Sequence, residues 1–326
     1  MTVLILWYTY GNNLGDRLLY EVVNEKLISH GFATKYCEIG VSYRELESKL
    51  EDIDFIWFAG GGIIERGIPN IVLNMERIHS NFPDIPYGVT GLSIGGFDYS
   101  QSAEQLSYWV RNSSFFFTRD KYSAEVLNKL SCSDIAKFSA DVVFSHKLKD
   151  KFTRTNNSDI LGLNFRDVPY TDLTGDLEWN EWSEKIRNIS NRHQLKCNFI
   201  ADESDEQNRL TISNCFAPKY TVNEALSSII NSKIIIAMRF HVVLLASIFG
   251  IPVIPINYCP KVGRLAEQLE ISELILGIHD FDKLEQKFDI ITKNYDDISS
   301  KLKFNSSVYS KRSEDMFNSI FSSFFN

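Results

Sequence analysis

Short apolar runs recur along this chain, and most are followed by a polar cluster rich in Gly, Arg, Asp or His. The clearest unit is Lys233–Lys261, KIIIAMRFHVVLLASIFGIPVIPINYCPK. Ile234–Ala237 has the length of a buried strand. Val242–Phe249 reads as a covered helix, Gly250 stops it, and Pro252–Ile256 is the next buried strand. Strand, turn, helix and strand in that span predict a parallel βαβ unit. Arg239 and His241 then fall at the carboxyl end of one strand, and Lys261 just beyond the next, on the edge where open α/β sheets bind ligands. An Arg, a His and a Lys converging there point to an anionic ligand and a proton-transfer step. The alternative is an arginine bonded to an internal carboxylate and a histidine satisfied in the first helical turn.

The same grammar runs through the rest of the chain. Val3–Tyr8 predicts a first strand and Gly11–Asp16 a turn-rich loop. Arg17–His30 carries Leu18, Leu19, Val22, Val23 and Leu27 at helical spacing, with Gly31 as its stop. The loop amides and the helix dipole suit a polar or anionic group, although the spacing is neither G-x-G-x-x-G nor a P-loop. A tight turn needing two glycines is the other reading. Phe55–Phe58 ends in Gly60-Gly61-Gly62, where a backbone can approach closely. Tyr87–Leu92 ends in Ser93-Ile94-Gly95-Gly96, Phe115–Thr118 ends in Arg119-Asp120, and Asp141 follows Phe138. Arg119 and Asp120 read equally well as ligand contacts or as an internal pair.

Ser145–Ser158 is polar and aperiodic, as a linker is. Beyond it Ile160–Phe165 is a strand ending at Arg166-Asp167, Val168–Asp176 a loop and Trp179–Gln194 a helix. Cys197–Ala201 is a strand ending at Asp202, and Val222–Ile230 a helix. Phe281–Leu302 is helical in more than one piece. In Tyr309–Phe325 the apolar positions Met316, Phe317, Ile320, Phe321, Phe324 and Phe325 keep helical spacing. Acidic Glu314 and Asp315 interrupt the basic face that a membrane-surface helix would show, so this helix is expected to pack on the first domain. The predicted fold is α/β, two Rossmann-like open parallel-sheet domains facing a cleft in a GT-B-like arrangement. Residues 1–148 and 158–308 are the domains, and 309–326 the returning helix.

Composition narrows the chemistry. The 326 residues are 44% hydrophobic and 23% charged, with a net charge of −8. That is enough chain for two cores, and it shows no basic excess of the kind nucleic acid demands. An anionic ligand must therefore be met by a local cluster. Cys37, Cys132, Cys197, Cys215 and Cys259 are odd in number, dispersed and without C-x-x-C. They predict reduced thiols in a cytoplasmic protein and no zinc site. No run approaches the ~20 apolar residues of a spanning helix, and Val3–Tyr8 followed by polar Gly11–Asp16 does not read as a signal peptide. No catalytic metal is expected, since Asp and His do not cluster at ligand spacing.

Seven stretches in order carry a resemblance. They are Gly11–Asp16 (GNNLGD), Gly60–Ile64 (GGGII), Gly91–Gly95 (GLSIG), Thr118–Ser123 (TRDKYS), Ser139–Phe144 (SADVVF), Gly162–Arg166 (GLNFR) and Arg239–His241 (RFH). Phe249–Lys261 continues them. Together they resemble the polysaccharide pyruvyl transferase family over most of the chain. The resemblance implies transfer of pyruvate from phosphoenolpyruvate (PEP) to two hydroxyls of a glycan as a cyclic ketal, in bacterial-type surface polysaccharide biosynthesis. PEP is then a substrate, with no separate cofactor. The resemblance also implies that the first domain is the acceptor side and the second the PEP side.

A phosphate and a carboxylate close together call for several cations, and arginine binds such groups bidentately. Arg239 comes first, with Arg166 and Lys261 as partners. His241 suits a proton transfer near neutrality. Asp16 and Asp141 are candidates to orient or deprotonate the acceptor. Asn12, Gly61, Gly62 and Arg119 are candidates for the acceptor side or its loops. Trp179 and Trp182, if exposed, could stack on sugar rings. The expected partners are PEP and a glycan or lipid-linked saccharide, with no nucleic acid. The expected location is the cytoplasm, with peripheral attachment to the inner face of the plasma membrane left open. The alternatives are a GT-B-type nucleotide-sugar glycosyltransferase and a non-catalytic glycan-binding protein of the same fold.

Overall fold

The computed structural model describes residues 1–8, 13–64, 67–95, 98–148, 152, 158–166, 178–200 and 221–325. They divide into two compact units. The first holds Met1–Tyr10, Gly15–His146 and Tyr309–Asn326, the second Lys147–Val308 together with Gly11–Leu14.

In the first unit, seven described strands form one parallel sheet: β1 (Thr2–Trp7), β2 (Ala33–Glu38), β3 (Phe55–Phe58), β4 (Gly61–Ile64), β5 (Tyr87–Ile94), β6 (Phe115–Thr118) and β7 (Ala136–Phe138). The order is β2-β1-β3-β5-β6-β7, with β4 beside β5. Alternation along each strand sends successive side chains to opposite faces. On β3, Phe58 meets Trp109 of the helix Ala103–Arg111 at 5.2 Å between ring centroids. Trp57 faces the other way, stacks on Phe317 at 6.1 Å and donates its indole N–H to Thr90 at 2.9 Å. The first helix runs Leu14–Ser29, three residues earlier than its apolar spacing predicts, so Asp16 already lies in its first turn.

In the second unit β8 (Ile160–Asn164), β9 (Lys196–Phe199), β10 (Ile234–Ala237), β11 (Val253–Asn257) and β12 (Leu276–Gly277) form a parallel sheet of order β12-β11-β10-β8-β9. The helix Phe240–Phe249 follows β10. It is apolar on every side because every side is covered, and His241 is its one residue that is not buried. Trp182 is buried too: its indole N–H donates to the Ile278 carbonyl at 2.9 Å, so it is a core residue and not a sugar platform.

The last helix is a single element of 30 residues, Tyr295–Phe324, and not a separate tail. No proline or glycine interrupts it. Its first half is tied to the second unit by Ser299 Oγ donating to the Gly250 carbonyl at 2.6 Å and by Asn305 Nδ2 donating to Leu269 O at 3.0 Å. From Tyr309 on it covers the first unit. Phe321 stacks on His30 at 3.7 Å and Glu314 pairs with Lys26 at 2.6 Å. Among the described residues no helix is long and apolar enough to cross a membrane.

Candidate functional site

An open parallel sheet has a crevice where strand order reverses, outside the carboxyl ends of the two strands that flank the reversal. In the second unit the chain runs from β8 outward to β9, then returns to β10 on the other side of β8. The reversal lies between β8 and β10. Asn164 and Ala237 are register partners, and Ala237 pairs in turn with Pro255. Arg166 and Arg239 each stand two residues past this row, so the pairing itself brings the two arginines to one crevice. Tyr258 follows the adjacent β11, and Lys261 lies in the first turn of the helix Pro260–Gln268.

Asn164 locks this edge. Its backbone carbonyl accepts from Met238 N–H at 2.9 Å, its Oδ1 accepts from Arg239 N–H at 2.9 Å, and its Nδ2 donates to the Ile200 carbonyl at 2.7 Å. One buried amide thus holds β8, the Arg239 backbone and the end of β9. Arg239 is the N-cap residue of the helix Phe240–Phe249, and Cys259 that of Pro260–Gln268. Neither cap residue makes a side-chain capping bond. Two helix amino termini therefore add their positive ends to the three cations.

The charges meet around Tyr258. Its ring is buried, and the Arg166 guanidinium lies 5.7 Å from the ring centroid. Burial pushes the phenol pKa up and Cys259 adds to this, while Lys261, Arg166 and Arg239 each pull it down. The three cations expected from the sequence thus act on one point. His241 lies in the first turn of the helix that follows Arg239, its one position that is not buried.

The first unit has its own reversal, between β1 and β3. Asp16 and Gly61 come together there. A Cβ built on Gly61 (φ +86°) would stand 3.5 Å from Asp16 Oδ1 and 2.9 Å from Leu19 Cδ1. Gly60 has a stricter reason to be glycine: at φ +94° its Cβ would lie within 2.1 Å of the Thr90 carbonyl oxygen. Gly62 is exposed on β4. Asn12 lies outside the described residues, as do Asp167, Asp202 and the loop Val168–Asp176.

Arg119 and Asp141 form a buried ion pair, Nη1 to Oδ2 at 3.0 Å, with 2% and 1% of their side-chain surface exposed. The other Asp141 oxygen accepts from Val143 N–H at 3.0 Å and caps the short 3₁₀ turn Val142–Ser145. Asp120 is not the partner of Arg119. It caps the helix Lys121–Ser131, accepting from the Ser123 amide and hydroxyl at 2.9 Å. Sequence reasoning missed Asn164 and gave Tyr258 no role, although both lie within the quoted stretches. Among the described residues no group of His, Cys, Asp and Glu could hold a metal ion.

The family model for polysaccharide pyruvyl transferase matches residues 13–260. No curated protein matches the chain. Among solved structures the chain is similar to Anabaena HepE in complex with UDP-glucose, with TM-score 0.61, 12% identity, and 99% of this chain and 100% of that one covered. It is similar to S. aureus MnaA bound to UDP, with TM-score 0.64, 12% identity, and 98% and 96% covered. UDP-GlcNAc 2-epimerase from Neisseria meningitidis bound to UDP-GlcNAc gives TM-score 0.59, 12% identity, and 99% and 100% covered. These likenesses are of fold, and the fold is the expected GT-B-like pair of parallel α/β sheets.

Proposed function

The chain belongs to the polysaccharide pyruvyl transferase family, and from that premise we propose that it transfers pyruvate from PEP to two hydroxyls of a glycan, forming a cyclic ketal and releasing phosphate. The observation that carries this reading is the convergence of Arg166, Arg239 and Lys261 on Tyr258 at the β8/β10 reversal. PEP presents a phosphate and a carboxylate a few bonds apart. Two guanidinium forks and an ammonium, backed by two helix amino termini, match that charge. Binding there also neutralises the ester oxygen that must leave.

The step needs a proton delivered to the methylene carbon of PEP, which becomes the methyl group. One sugar hydroxyl then adds to the central carbon, phosphate departs, and the second hydroxyl closes the ring. Of the two hydroxyl protons lost, one balances the new methyl group and the other leaves with phosphate. His241 is the proton-transfer group, in the first turn of the helix that Arg239 caps. For the acceptor side Asp16 is the stronger of the two carboxylates. Asp141 has one oxygen on Arg119 and the other on a backbone amide, so its role is to hold the edge of the first unit. Arg119 shares that role. The acceptor is a glycan or a lipid-linked saccharide, and the reaction belongs in the cytoplasm.

A nucleotide-sugar glycosyltransferase is the second reading. It is favoured by the UDP-glucose bound in Anabaena HepE and the UDP in S. aureus MnaA. Thermal unfolding with PEP, UDP-sugars and inorganic phosphate separates the two. PEP at ~100 times its Kd should add about 2.7 kcal/mol and raise the midpoint by a few degrees. A rise with UDP-sugar alone would reverse the assignment. His241→Ala should keep the PEP-induced rise and lose turnover by about 10²–10⁴-fold.

A further inference from the structure

Tyr258 sits at the centre of the cation cluster, yet the reading above gives its hydroxyl nothing to do. It is 3% exposed. Among the described residues its hydroxyl has no hydrogen-bond partner, although buried phenols ordinarily find one. Its ring lies beside the Arg166 guanidinium at 5.7 Å, and Arg239 and Lys261 also act on it. Guanidinium and ammonium groups only donate hydrogen bonds. A hydroxyl placed among them finds no acceptor on the cations themselves, and an incoming anion can supply one.

We infer that the Tyr258 hydroxyl is a donor-binding group, giving a hydrogen bond to the oxyanion held by Arg166, Arg239 and Lys261. It rests on the proposed reading only for the identity of that oxyanion as part of PEP. The phenol keeps its proton at neutral pH, because burial outweighs the pull of the three cations. It therefore directs a hydrogen bond and does not serve as the acid that protonates carbon. Its contribution is directional, like that of the guanidinium forks and unlike that of the Lys261 ammonium. A fixed O–H selects among the oxygens of a crowded anion, whereas a lysine ammonium binds as a point charge. The position is fixed by the strand before it and the helix after it. Asn257, the last residue of β11, accepts from the Gly263 amide at 3.1 Å and so ties the strand end to the Pro260–Gln268 helix around Tyr258.

Tyr258→Phe removes one oxygen and keeps the ring packed. Calorimetric titration of the full chain with PEP, inorganic phosphate and pyruvate, beside the parent, tests the assignment. A hydrogen bond to a charged group corresponds to a loss of about 10- to 100-fold in affinity. The variant should lose that much for PEP and for at least one of the simpler anions, and phosphate against pyruvate tells which oxyanion the hydroxyl meets. In turnover, the KM for PEP should rise with kcat within about threefold, a split that a packing defect would not produce. The ligand-free unfolding midpoint checks that the fold is kept. A variant that unfolds is replaced by Tyr258→Met, which also removes the hydroxyl and brings no N–H or O–H donor, and the same loss is expected. Affinities equal to the parent's for all three anions would overturn the inference, as would a parent that binds none of them. A parent that binds phosphate but not PEP sinks the PEP reading alone, and the role of the hydroxyl is then decided on phosphate.

Discussion

Two buried arginines stand just past the carboxyl ends of parallel strands, and their described neighbours differ. Arg119, after β6, faces Asp141 at 3.0 Å with both side chains almost wholly buried. Arg239, after β10, shares its neighbourhood with Arg166 and Lys261 around Tyr258. At Arg119 the protein supplies a counter-charge from its own chain. At Arg239 it collects further positive charge at the point where the sheet order reverses. On the proposed reading, the same residue type at equivalent places serves cohesion in one unit and capture in the other.

The widest test of that contrast is to remove each arginine. Arg119→Ala leaves Asp141 buried without its partner. Breaking a buried pair from one side costs about 3–5 kcal/mol, so the denaturant midpoint should drop steeply. Replacing both, Arg119→Met with Asp141→Leu, should recover most of the loss, since apolar groups of similar volume substitute well for a buried pair. Arg239→Ala should instead abolish measurable PEP binding, with a smaller fall in the midpoint than Arg119→Ala shows. Parent-like stability in Arg119→Ala, or parent-like PEP affinity in Arg239→Ala, would erase the distinction.

A middle-sized effect is expected at Asn164. Alanine there removes the acceptor of the Arg239 amide and the donor to Ile200. Leaving such groups buried and unmatched costs about 1–3 kcal/mol each. Because Asn164 positions the backbone of Arg239, PEP affinity should fall together with stability. Loss of stability with PEP affinity unchanged would detach Asn164 from the site.

The smallest effect belongs to a carboxylate outside both clusters. Asp280 accepts from Lys283 Nζ at 2.6 Å and from Gly277 N–H at 2.7 Å. These two contacts hold its pKa below the usual aspartate value, Lys283 contributing most. A lowered folded-state pKa means stabilisation that is present above the unfolded value, ~3.9, and lost as pH falls through the folded one. Asp280→Asn should thus be slightly less stable than the parent at neutral pH, and the gap should close in acid below about pH 3. A gap constant from pH 7 to pH 2 would remove the charge from that account. PEP affinity should not move, which makes this variant the control for the two above.

Much of the second-unit site was legible because its chemistry is local in sequence. Ile234–Ala237 is the observed β10, and the following strand is displaced by one residue. The helix starts two residues before its apolar run because Arg239 serves as its N-cap. Other features depend on distant partners. β2 reads ATKYCE, a polar edge strand with Cys37 as its one buried residue, so no apolar run marks it. The triple glycine reads as a ligand loop, but Gly61 opens a strand that pairs with β5 across a register shift. The partner of Arg119 lies 22 residues away, while the neighbouring Asp120 is taken by the N-cap of its own helix. Trp182 could have been placed correctly, since Ile186 and Ile189 follow at helical spacing and all three are buried on one face. Tyr258 could not, because an aromatic at a strand end looks like core until the three cations around it are seen.

The final helix also bears on how the protein is made. Trp57 on β3 and Phe115 on β6 are capped by Phe317, Phe321, Phe324 and Phe325. Those rings follow the whole of Lys147–Val308 in the chain. At ~5–20 residues per second, translation of that intervening stretch takes roughly ten to thirty seconds. Through that time the sheet of the first unit has its strands but not its last cover, with tryptophan and phenylalanine facing the cell. This interval is when a nascent chain is captured by a chaperone or lost to aggregation. Expression yield should therefore respond to substitutions in the helix's apolar stripe more sharply than the stability of the finished protein does.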